Sequence, residues 1–279
     1  MASSPWNSDP HTMGNITNRR GLAREDVRVV WQSGEHEVSD WLMALPDRFD
    51  EVGTVIYEAR NVVKRMELPD GTRVVVKRYK RPVFLQRLVY SFLRPSKGLR
   101  ACNNALELRR RGVDTPSPIA CVEQRMCGVY QRGWFVYRYH EGTPFAQLDM
   151  RDRALLDGFA AYAARLHSAG VIDRDFNVGN ILCNRIDGRW SFTLIDINRM
   201  KFIPYGRTPR MTDCIGTLLV FPHSMDFRYF MERYLTERGQ FSDDRLATVM
   251  RQKERHDRRY RMRKRLRHPL RRSSLQCGL

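Results

Sequence analysis

Apolar residues, many of them β-branched, are concentrated in three successive segments in the first part of the chain. VGTVIYEA at 52–59 and NVVKRMEL at 61–68 are rich in β-branched residues, which favour extended strands. A Pro-Asp-Gly turn at 69–71 then leads into TRVVVKRYK at 72–80, which has the same character. The pattern predicts an antiparallel meander.

Apolar residues recur at helical spacing farther along the chain. Residues 83–111 predict a helix that is interrupted near Pro95, and residues 150–170 predict a second strong helix. Two hairpins complete the pattern, one centred near Arg132–Gly133 and one with its turn at Asp187–Gly188.

This order of elements predicts an α+β protein with a β-rich lobe, a short connector and a helical lobe. The leading segment is polar and rich in Pro, Ser, Asn and Gly, which is typical of a loose leader. We divide the chain into a flexible leader (1–28), an N-terminal lobe (29–138), a hinge (139–143), a C-terminal lobe (144–250) and a basic C-terminal tail (251–279).

Positive charge is concentrated in two blocks of the sequence. The chain has 279 residues and a formal net charge of +18, with eight Lys/Arg and no acid in residues 77–100. Residues 251–272 hold twelve Lys/Arg against two acids. Such blocks suit an anionic membrane, RNA or a solvated basic surface. Apolar residues between Phe84 and Phe92 favour the membrane, and because Tyr260 is the one aromatic of the tail we do not expect a nucleic acid partner.

Four polar residues have side chains suited to phosphoryl transfer from a nucleoside triphosphate with Mg²⁺. Lys77 ends the β-branched strand VVVK, and its charge suits the α- and β-phosphates. Asp175 begins a D-x-x-x-x-N motif and is the candidate base for an attacking hydroxyl. Asn180, which ends that motif, and Asp196 offer the oxygen ligands that Mg²⁺ prefers.

The segments VVVK, DRDFNVGNIL and LIDIN resemble the strand-lysine, catalytic-loop and metal-aspartate motifs of the protein-kinase-like fold. More narrowly, GTVIYEARNVVK, LVYSFLRPSK, GVDTPSPIA and LHSAGVIDRDFNVGNIL are similar to segments of the bacterial lipopolysaccharide kinase family, over about residues 50–203. The resemblance implies a two-lobed fold, with a small antiparallel-sheet N-lobe that carries one long helix and with a reduced helical C-lobe.

The resemblance also implies an activity, because members of this family phosphorylate Kdo or heptose sugars of the lipopolysaccharide inner core. The expected enzyme uses ATP and Mg²⁺, acts on a glycolipid and lies in the cytoplasm, peripheral to the inner membrane. Tyr139 and His140 in the hinge are expected to face the adenine with their backbone, and Arg174 is expected to pair with a carboxylate. Two other classes stay open: a catalytically impaired kinase-fold scaffold at the membrane, and an atypical protein or RNA-linked kinase. The sequence indicates no oligomeric state.

Three positions depart from the pattern of protein kinases. Asp173 stands where the catalytic loop usually has histidine, and we expect it to hold the loop by hydrogen bonds. The phosphate loop at 57–61 has no glycine. The helix glutamate that should pair with Lys77 falls near Asn103 by the family's spacing, so either Glu107, one turn later, replaces it or Lys77 is held by a hydrogen bond alone.

Overall fold

The computed structural model describes residues 13–20, 25–32 and 38–267. Its strands are β1 (Met13–Arg20), β2 (Glu25–Gln32), β3 (Thr54–Glu58), β4 (Val62–Glu67), β5 (Arg73–Arg78), β6 (Pro118–Met126), β7 (Val129–Arg138), β8 (Thr143–Pro144), β9 (Val171–Asp173), β10 (Ile181–Ile186), β11 (Arg189–Leu194) and β12 (Met200–Phe202). Its helices are α1 (Ser39–Arg48), α2 (Phe84–Phe92), α3 (Lys97–Arg110), α4 (Arg153–Ser168), α5 (Met211–Leu218), α6 (Phe227–Glu237) and α7 (Asp243–Arg267). The predicted meander, the interrupted helix and the α+β class are confirmed. Within these described ranges, no helix combines the length and apolar character that a membrane span needs.

Within the described residues, the chain forms two compact units. The first runs to Gly142 and also contains the later segment Thr193–Asn198. The second consists of Thr143–Phe192 and of the chain from Arg199 onward. The segment that carries Asp196 therefore belongs to the first unit. The division drawn from the sequence had placed it in the C-terminal lobe, 144–250.

An antiparallel sheet is the frame of the first unit, and its described strands have the order β1-β2-β6-β7-β5-β4-β3. Leu42 of α1 belongs to a core cluster that includes Val76 and Trp134. Ala101 of α3 belongs to a second cluster, with Phe135. Because neighbouring residues of a strand point to opposite faces, Trp134 and Phe135 place α1 and α3 on opposite faces of the sheet.

The prediction of a flexible leader over residues 1–28 is wrong where β1 and β2 lie. β2 pairs with β1 on one side and with β6 on the other. Val27 and Val29 are fully buried in the α1 cluster, because the alternation of the strand turns both to that face. Charged residues between the valines gave this strand its polar composition. The other leader residues lie outside the described residues.

The hairpin of β6 and β7 turns at Cys127–Gly128, so the prediction of a turn near Arg132–Gly133 is wrong. Cys127 and Gly128 have positive φ values of 50° and 76°, which the favoured two-residue hairpin turns require. β7 continues through Gly133, where a Cβ would lie 2.5 Å from the Tyr130 hydroxyl. The predicted turn at Asp187–Gly188 is confirmed, with φ values of 49° and 76°.

Phe159 of α4 lies at the centre of the core of the second unit. α4 begins at Asp152, whose carboxylate accepts hydrogen bonds from the amides of Ala154 and Leu155. Around the Phe159 ring, at centroid distances of 4.7–5.9 Å, lie Phe145, Phe176, Phe192, Phe221 and Phe230. This aromatic core joins α4 and α6 to strand β11, to the segment before α4 and to the loops that hold Phe176 and Phe221.

α7 runs without a break through residue 251, the predicted start of the basic tail. Lys253 is buried and donates to two carbonyl oxygens just after α5 and to the Asp257 carboxylate, at 2.7–3.1 Å. Every side chain from Arg258 to Lys264 is exposed. The remainder of the predicted tail, 268–279, lies outside the described residues.

Lys64 of β4 is a buried cation that caps a helix distant in sequence. Its Nζ donates to the carbonyl oxygens of Phe49, Asp50 and Val52 at 2.6, 3.1 and 3.0 Å. These carbonyl groups lie in the turn that directly follows α1, where no helical hydrogen bonds are left to satisfy them. A positive charge at this end also suits the helix dipole.

We expect Lys64→Met to lower the free energy of unfolding by about 2–4 kcal/mol, because it leaves buried carbonyl groups without a donor. Urea denaturation followed by tryptophan fluorescence measures the change. Lys80→Met is the matched control, since Lys80 is exposed and its loss should change stability by less than about 0.5 kcal/mol. Equal stability of Lys64→Met and the wild type would contradict the capping role.

His167 of α4 is buried between two hydroxyl groups. Its Nδ1 lies 2.8 Å from the Tyr234 hydroxyl, and its Nε2 lies 3.2 Å from the Thr217 hydroxyl. Thr217 gives its own proton to the Cys214 carbonyl, so Nε2 carries the ring hydrogen and Nδ1 accepts from Tyr234. Burial and, to a lesser extent, the charge of Arg238 lower the pKa of His167 to about 3.

This lowered pKa makes the stability of the protein sensitive to acid. Between pH values of about 6.5 and 3 the unfolded chain binds a proton at His167 and the folded chain does not, so stability falls as the pH falls. We expect His167→Gln to reduce the slope of unfolding free energy against pH by up to about 1.4 kcal/mol per pH unit in this window. Urea denaturation at a series of pH values measures the slope, with His223→Gln, at an exposed position, as the control. Identical slopes for His167→Gln and the wild type would overturn the assignment.

Candidate functional site

Lys77 is a buried cation at the end of a strand of valines. In β5, Val74 and Val76 belong to the α1 cluster, so alternation turns Lys77 to the opposite side of the sheet. The residue is 7% exposed, and its Nζ lies 2.6 Å from Oδ1 of Asp196. Within the described part of the chain, Asp196 is its one carboxylate partner.

Asp196 has an uncommon backbone conformation, with a φ of 55°. Its Oδ1 also accepts from Nδ2 of Asn198 at 3.1 Å, whereas its Oδ2 has no hydrogen-bond partner among the described residues. Burial disfavours the charged form, but the Lys77 ammonium and the hydrogen bonds from Lys77 and Asn198 hold the pKa of Asp196 below its usual value. Asp196 is therefore a carboxylate at neutral pH with one oxygen open to a ligand.

A largely apolar pocket surrounds this ion pair within the first unit. Its lining includes Tyr79, Ala101, Pro116, Phe135, Tyr137 and Ile197. Burial raises the pKa of Tyr79 and of Tyr137, so both phenols are neutral. Nδ2 of Asn198 donates to the Tyr79 hydroxyl at 3.1 Å, and Oδ1 of Asn198 is buried with no hydrogen-bond partner in the described residues.

Glu107 does not pair with Lys77, so the prediction that it replaces the usual helix glutamate is wrong. Its carboxylate lies 2.7 Å from Nε of Arg111 and 3.5 Å from Nη1 of Arg110. Residues three and four apart share one face of a helix, and this spacing directs Glu107 to its own helix neighbours. Lys77 instead has Asp196 as its partner.

Asn104, which the sequence did not single out, connects α3 to the Asp196 segment. Its Nδ2 donates to the carbonyl oxygen of Ile197 at 2.7 Å, whereas Asn103 is exposed. Ala101, three residues earlier on the same helix face, lines the pocket and has no polar group to offer Lys77. The sequence could have indicated a role for Asn104, because Asn104 lies on the same face of the helix as the buried Ala101.

Tyr139 and His140 make contacts other than the predicted ones to adenine. The Tyr139 amide donates to the Arg73 carbonyl at 2.9 Å, so this N–H is engaged within the protein, and the backbone contacts of Tyr139 and His140 to adenine stay a prediction. Nε2 of His140 lies 3.0 Å from the Thr193 hydroxyl. His140 therefore holds the first residue of the segment Thr193–Asn198.

The loop that contains Asp175 is closed by its own hydrogen bonds within the second unit. Asp173 is buried, and its Oδ1 accepts from the amide of Asp175 at 2.8 Å. The carbonyl oxygen of Asp175 accepts from Nδ2 of Asn177 and of Asn180, at 2.8 and 2.9 Å. The prediction that Asp173 holds the loop by hydrogen bonds is confirmed.

Phe176 and Asn177, which the sequence did not single out, fix the conformation of this loop. Phe176 is buried, with its ring 5.9 Å from that of Phe159. Oδ1 of Asn177 accepts from the Gly179 amide at 2.9 Å. Because Nδ2 of Asn180 is bound to Asp175, the side-chain oxygen of Asn180 remains as an acceptor, without a partner among the residues described.

A second pocket lies beside Asp175 in the second unit. Its lining includes Arg174, Lys201, Thr212 and Asp213. Arg174 and Lys201 are exposed and have no carboxylate partner in the described ranges, so the prediction that Arg174 pairs with a carboxylate is wrong. All three residues of β9 are buried, whereas Arg174 follows the end of the strand, where the chain becomes exposed.

Several solved structures are similar to this chain. WaaP in complex with acyl carrier protein has a TM-score of 0.56 and 19% identity, and the match covers 82% of this chain and 98% of that chain. Amicoumacin kinase hAmiN in complex with AMP-PNP, Ca²⁺ and Ami has a TM-score of 0.47 and 14% identity, with 77% and 81% covered. The Rio2 kinase–ADP/Mg²⁺–phosphoaspartate complex from Chaetomium thermophilum has a TM-score of 0.42 and 16% identity, with 88% and 82% covered. The similarity to WaaP confirms the predicted protein-kinase-like fold.

A search of curated protein sequences gave no match. The model of the lipopolysaccharide kinase (Kdo/WaaP) family matches residues 70–213, just over half of the chain. This stretch includes Lys77, Asp175, Asn180 and Asp196, the four residues with side chains suited to phosphoryl transfer. The resemblance predicted from the sequence is confirmed, and the chain belongs to the lipopolysaccharide kinase (Kdo/WaaP) family.

Proposed function

We propose that this protein transfers the γ-phosphoryl group of ATP, with Mg²⁺, to a sugar hydroxyl of the lipopolysaccharide inner core. Its family supports a phosphotransferase of this kind. The observation that carries the proposal is the ion pair between the buried ammonium group of Lys77 and the partly exposed carboxylate of Asp196, with 2.6 Å between Nζ and Oδ1. A fixed cation beside a hard carboxylate is the combination that binds phosphate and metal together.

The residues of the first unit fit a nucleotide with its phosphates. The ammonium of Lys77 has three donor hydrogens, and one short bond to Asp196 leaves the others for phosphate oxygens. The neutral rings of Tyr79 and Tyr137 supply apolar walls. Oδ1 of Asn198 is a buried acceptor without a partner among the described residues, which is a feature of sites that lack their ligand or water.

Each unit also offers an open side-chain oxygen of the kind that magnesium prefers. Oδ2 of Asp196 and the side-chain oxygen of Asn180 have no donor among the described residues. Mg²⁺ binds proteins through one or two carboxylates and completes its shell with waters and phosphate oxygens. Bound Mg²⁺ neutralises negative charge on the phosphates during transfer. Asp196 and Asn180 are the residues we assign to hold it.

Asp175 is the base we assign to the reaction. Its carboxylate takes the proton of the acceptor hydroxyl as the hydroxyl oxygen attacks the γ-phosphorus. Its amide is fixed by Asp173, and its carbonyl oxygen is fixed by Asn177 and Asn180. A fixed backbone supports catalysis because phosphoryl transfer depends mainly on the position of the reacting groups.

The pocket beside Asp175 favours an acceptor that carries negative charge near its reacting hydroxyl. Arg174 and Lys201 supply two exposed cations there. Kdo has a carboxylate of its own, so a Kdo acceptor meets this requirement, whereas a heptose acceptor meets it through a charged group on a neighbouring core sugar. Because the acceptor is a membrane glycolipid, we also propose that the protein is cytoplasmic and peripheral to the inner membrane, with its basic segments against the anionic lipid.

Asp175→Asn and Asp196→Asn distinguish the two proposed roles. We expect Asp175→Asn to lower phosphate transfer from labelled ATP to purified lipopolysaccharide by about 100- to 10,000-fold, because the base is lost. Its thermal stabilisation by ATP with Mg²⁺ should persist. We expect Asp196→Asn to lose both, because it removes a metal ligand and the counter-ion of Lys77. A transfer assay and thermal unfolding with and without EDTA measure these effects.

Equal transfer by the wild type and Asp175→Asn would contradict the role of Asp175. If the wild type shows no stabilisation by ATP, with or without Mg²⁺, the catalytically impaired scaffold is favoured, as the glycine-free loop at 57–61 suggests. Steep salt-dependent binding to RNA, unmatched by anionic liposomes, would favour the RNA-linked kinase.

We expect Arg174→Gln and Lys201→Gln each to raise the KM for the lipopolysaccharide acceptor by about tenfold, because each removes a cation that binds its anionic group. The KM for ATP should stay unchanged. Steady-state kinetics with each substrate varied measure the two constants, and Arg189→Gln, at an exposed position, is the matched control. An unchanged acceptor KM in both variants would contradict an anion-binding acceptor pocket.

A further inference from the structure

α2 is an apolar helix that the protein leaves uncovered. None of its nine residues is buried. Large apolar side chains on the helix and at its two ends are 63–81% exposed, and they are Val83, Phe84, Leu85, Phe92 and Leu93. Soluble proteins rarely expose a contiguous apolar surface of this kind without a function for it.

The face of α2 that packs on the sheet is its polar face. Nη1 of Arg87 donates to the side-chain oxygen of Gln131 at 2.7 Å, and Oγ of Ser91 accepts from the Tyr130 amide at 2.9 Å. The ring of Tyr90 lies 5.6 Å from that of Tyr130. Because residues three and four apart share a helix face, these three positions of α2 form one face, docked on β7.

The opposite face of α2 consists of apolar side chains. Leu85, Leu88 and Phe92 follow one another at helical spacing, with Phe84 and Val89 beside them. A surface helix normally turns its apolar face to the core and its polar face to water. α2 has the reverse arrangement, so its apolar face is free to contact another apolar phase.

The charge around this face indicates the nature of that phase. The sequence has no Asp or Glu from residue 71 to residue 106. Exposed cations stand before α2 at Lys80 and Arg81 and after it at Arg94. An apolar face with cations at both ends matches the boundary between anionic lipid headgroups and acyl chains.

We propose that α2 docks this protein on an anionic lipid surface, with Leu85, Leu88 and Phe92 among the acyl chains and the flanking cations at the headgroups. The inference rests on the proposed function in one respect, since it names the element that brings the enzyme to a membrane-embedded acceptor. A second copy of the chain or a partner protein is the competing occupant, and the test separates these from lipid.

Co-sedimentation with vesicles tests the docking. The vesicles contain roughly three parts phosphatidylcholine to one part phosphatidylglycerol, or phosphatidylcholine alone. We expect the full chain to bind the anionic vesicles and the double variant Leu85→Gln/Phe92→Gln to bind them about tenfold or more weakly. Both side chains are exposed, so the variant should unfold at the wild-type temperature. Ile186→Gln, at an exposed apolar residue elsewhere, is the matched control and should bind as the wild type does.

The cations have their own variant, Lys80→Gln/Arg94→Gln. We expect it to weaken binding to anionic vesicles and to reduce the dependence of binding on salt, because two headgroup contacts are lost. Wild-type affinity of the Leu85→Gln/Phe92→Gln variant for anionic vesicles would overturn the proposal. A concentration-dependent dimer that this variant abolishes, in a protein that binds no vesicles, would overturn it in favour of a second copy.

Two acceptors distinguish failure of the docking from failure of the proposed kinase. On lipopolysaccharide embedded in anionic vesicles, the Leu85→Gln/Phe92→Gln variant should transfer phosphate at least about tenfold more slowly than the wild type. On deacylated, water-soluble core oligosaccharide the two should be equal. If the wild type phosphorylates neither acceptor but binds vesicles through α2, the kinase proposal fails and the docking stands. Equal loss on both acceptors would overturn the docking role.

Discussion

The ion pair of Lys77 and Asp196 is the interaction on which the candidate site depends. A buried ammonium group requires a counter-charge, because its removal from water costs more than packing returns. α3 supplies none there, since Ala101 has no polar group and Asn104 is bound to the Ile197 carbonyl. The counter-charge therefore comes from Asp196, and this explains why a short segment late in the sequence belongs to the first unit. The positive φ of Asp196 and its hydrogen bond from Asn198 follow from the same requirement.

The carboxylate of Asp196 therefore binds Lys77 through one oxygen and leaves the other oxygen for the proposed metal. Oδ1 is occupied by Lys77 and Asn198, and Oδ2 has no partner among the described residues. The cation lowers the pKa of Asp196 against the effect of burial, so the carboxylate is charged before any ligand arrives. A kinase with a glutamate on α3 has a separate counter-ion for its lysine. Here a change at Asp196 affects both binding partners, whereas a change at Asp175 affects neither.

Local patterns predicted the parts of this fold that depend on near neighbours in sequence. The meander of β3–β5, the break between α2 and α3, helix α4 and the Asp187–Gly188 turn are of this kind. The failures depend on distant partners. β2 needs β6 beside it, and Glu107 is on the predicted helix but pairs with its own neighbours. In the sequence, Lys64 looks like an ordinary strand lysine. Its role appears only in the structure, where three carbonyl groups after α1 accept hydrogen bonds from its ammonium group. The four residues suited to phosphoryl transfer could be predicted because their types and order are specific. The supporting residues Asn104, Phe176 and Asn177 could not, because their roles depend on tertiary contacts that the hydrophobic pattern does not indicate.

Helix α2 shows which structural features can be predicted from the spacing of apolar residues and which cannot. Its apolar spacing predicts a helix with two unlike faces, and that helix forms. Periodicity does not specify which face the protein covers, because that choice depends on the surface presented by the neighbouring strand. β7 presents the Gln131 amide oxygen and the Tyr130 amide, two groups that need polar partners. Arg87 shares the Gln131 oxygen with Arg81, which lies before α2, and Ser91 accepts from the Tyr130 amide, so these bonds hold the polar face of α2 inward and leave the apolar face outward. The exposed apolar face thus follows from the hydrogen-bonding demand of the sheet, and the stability of this arrangement does not require the lipid that the exposed face fits.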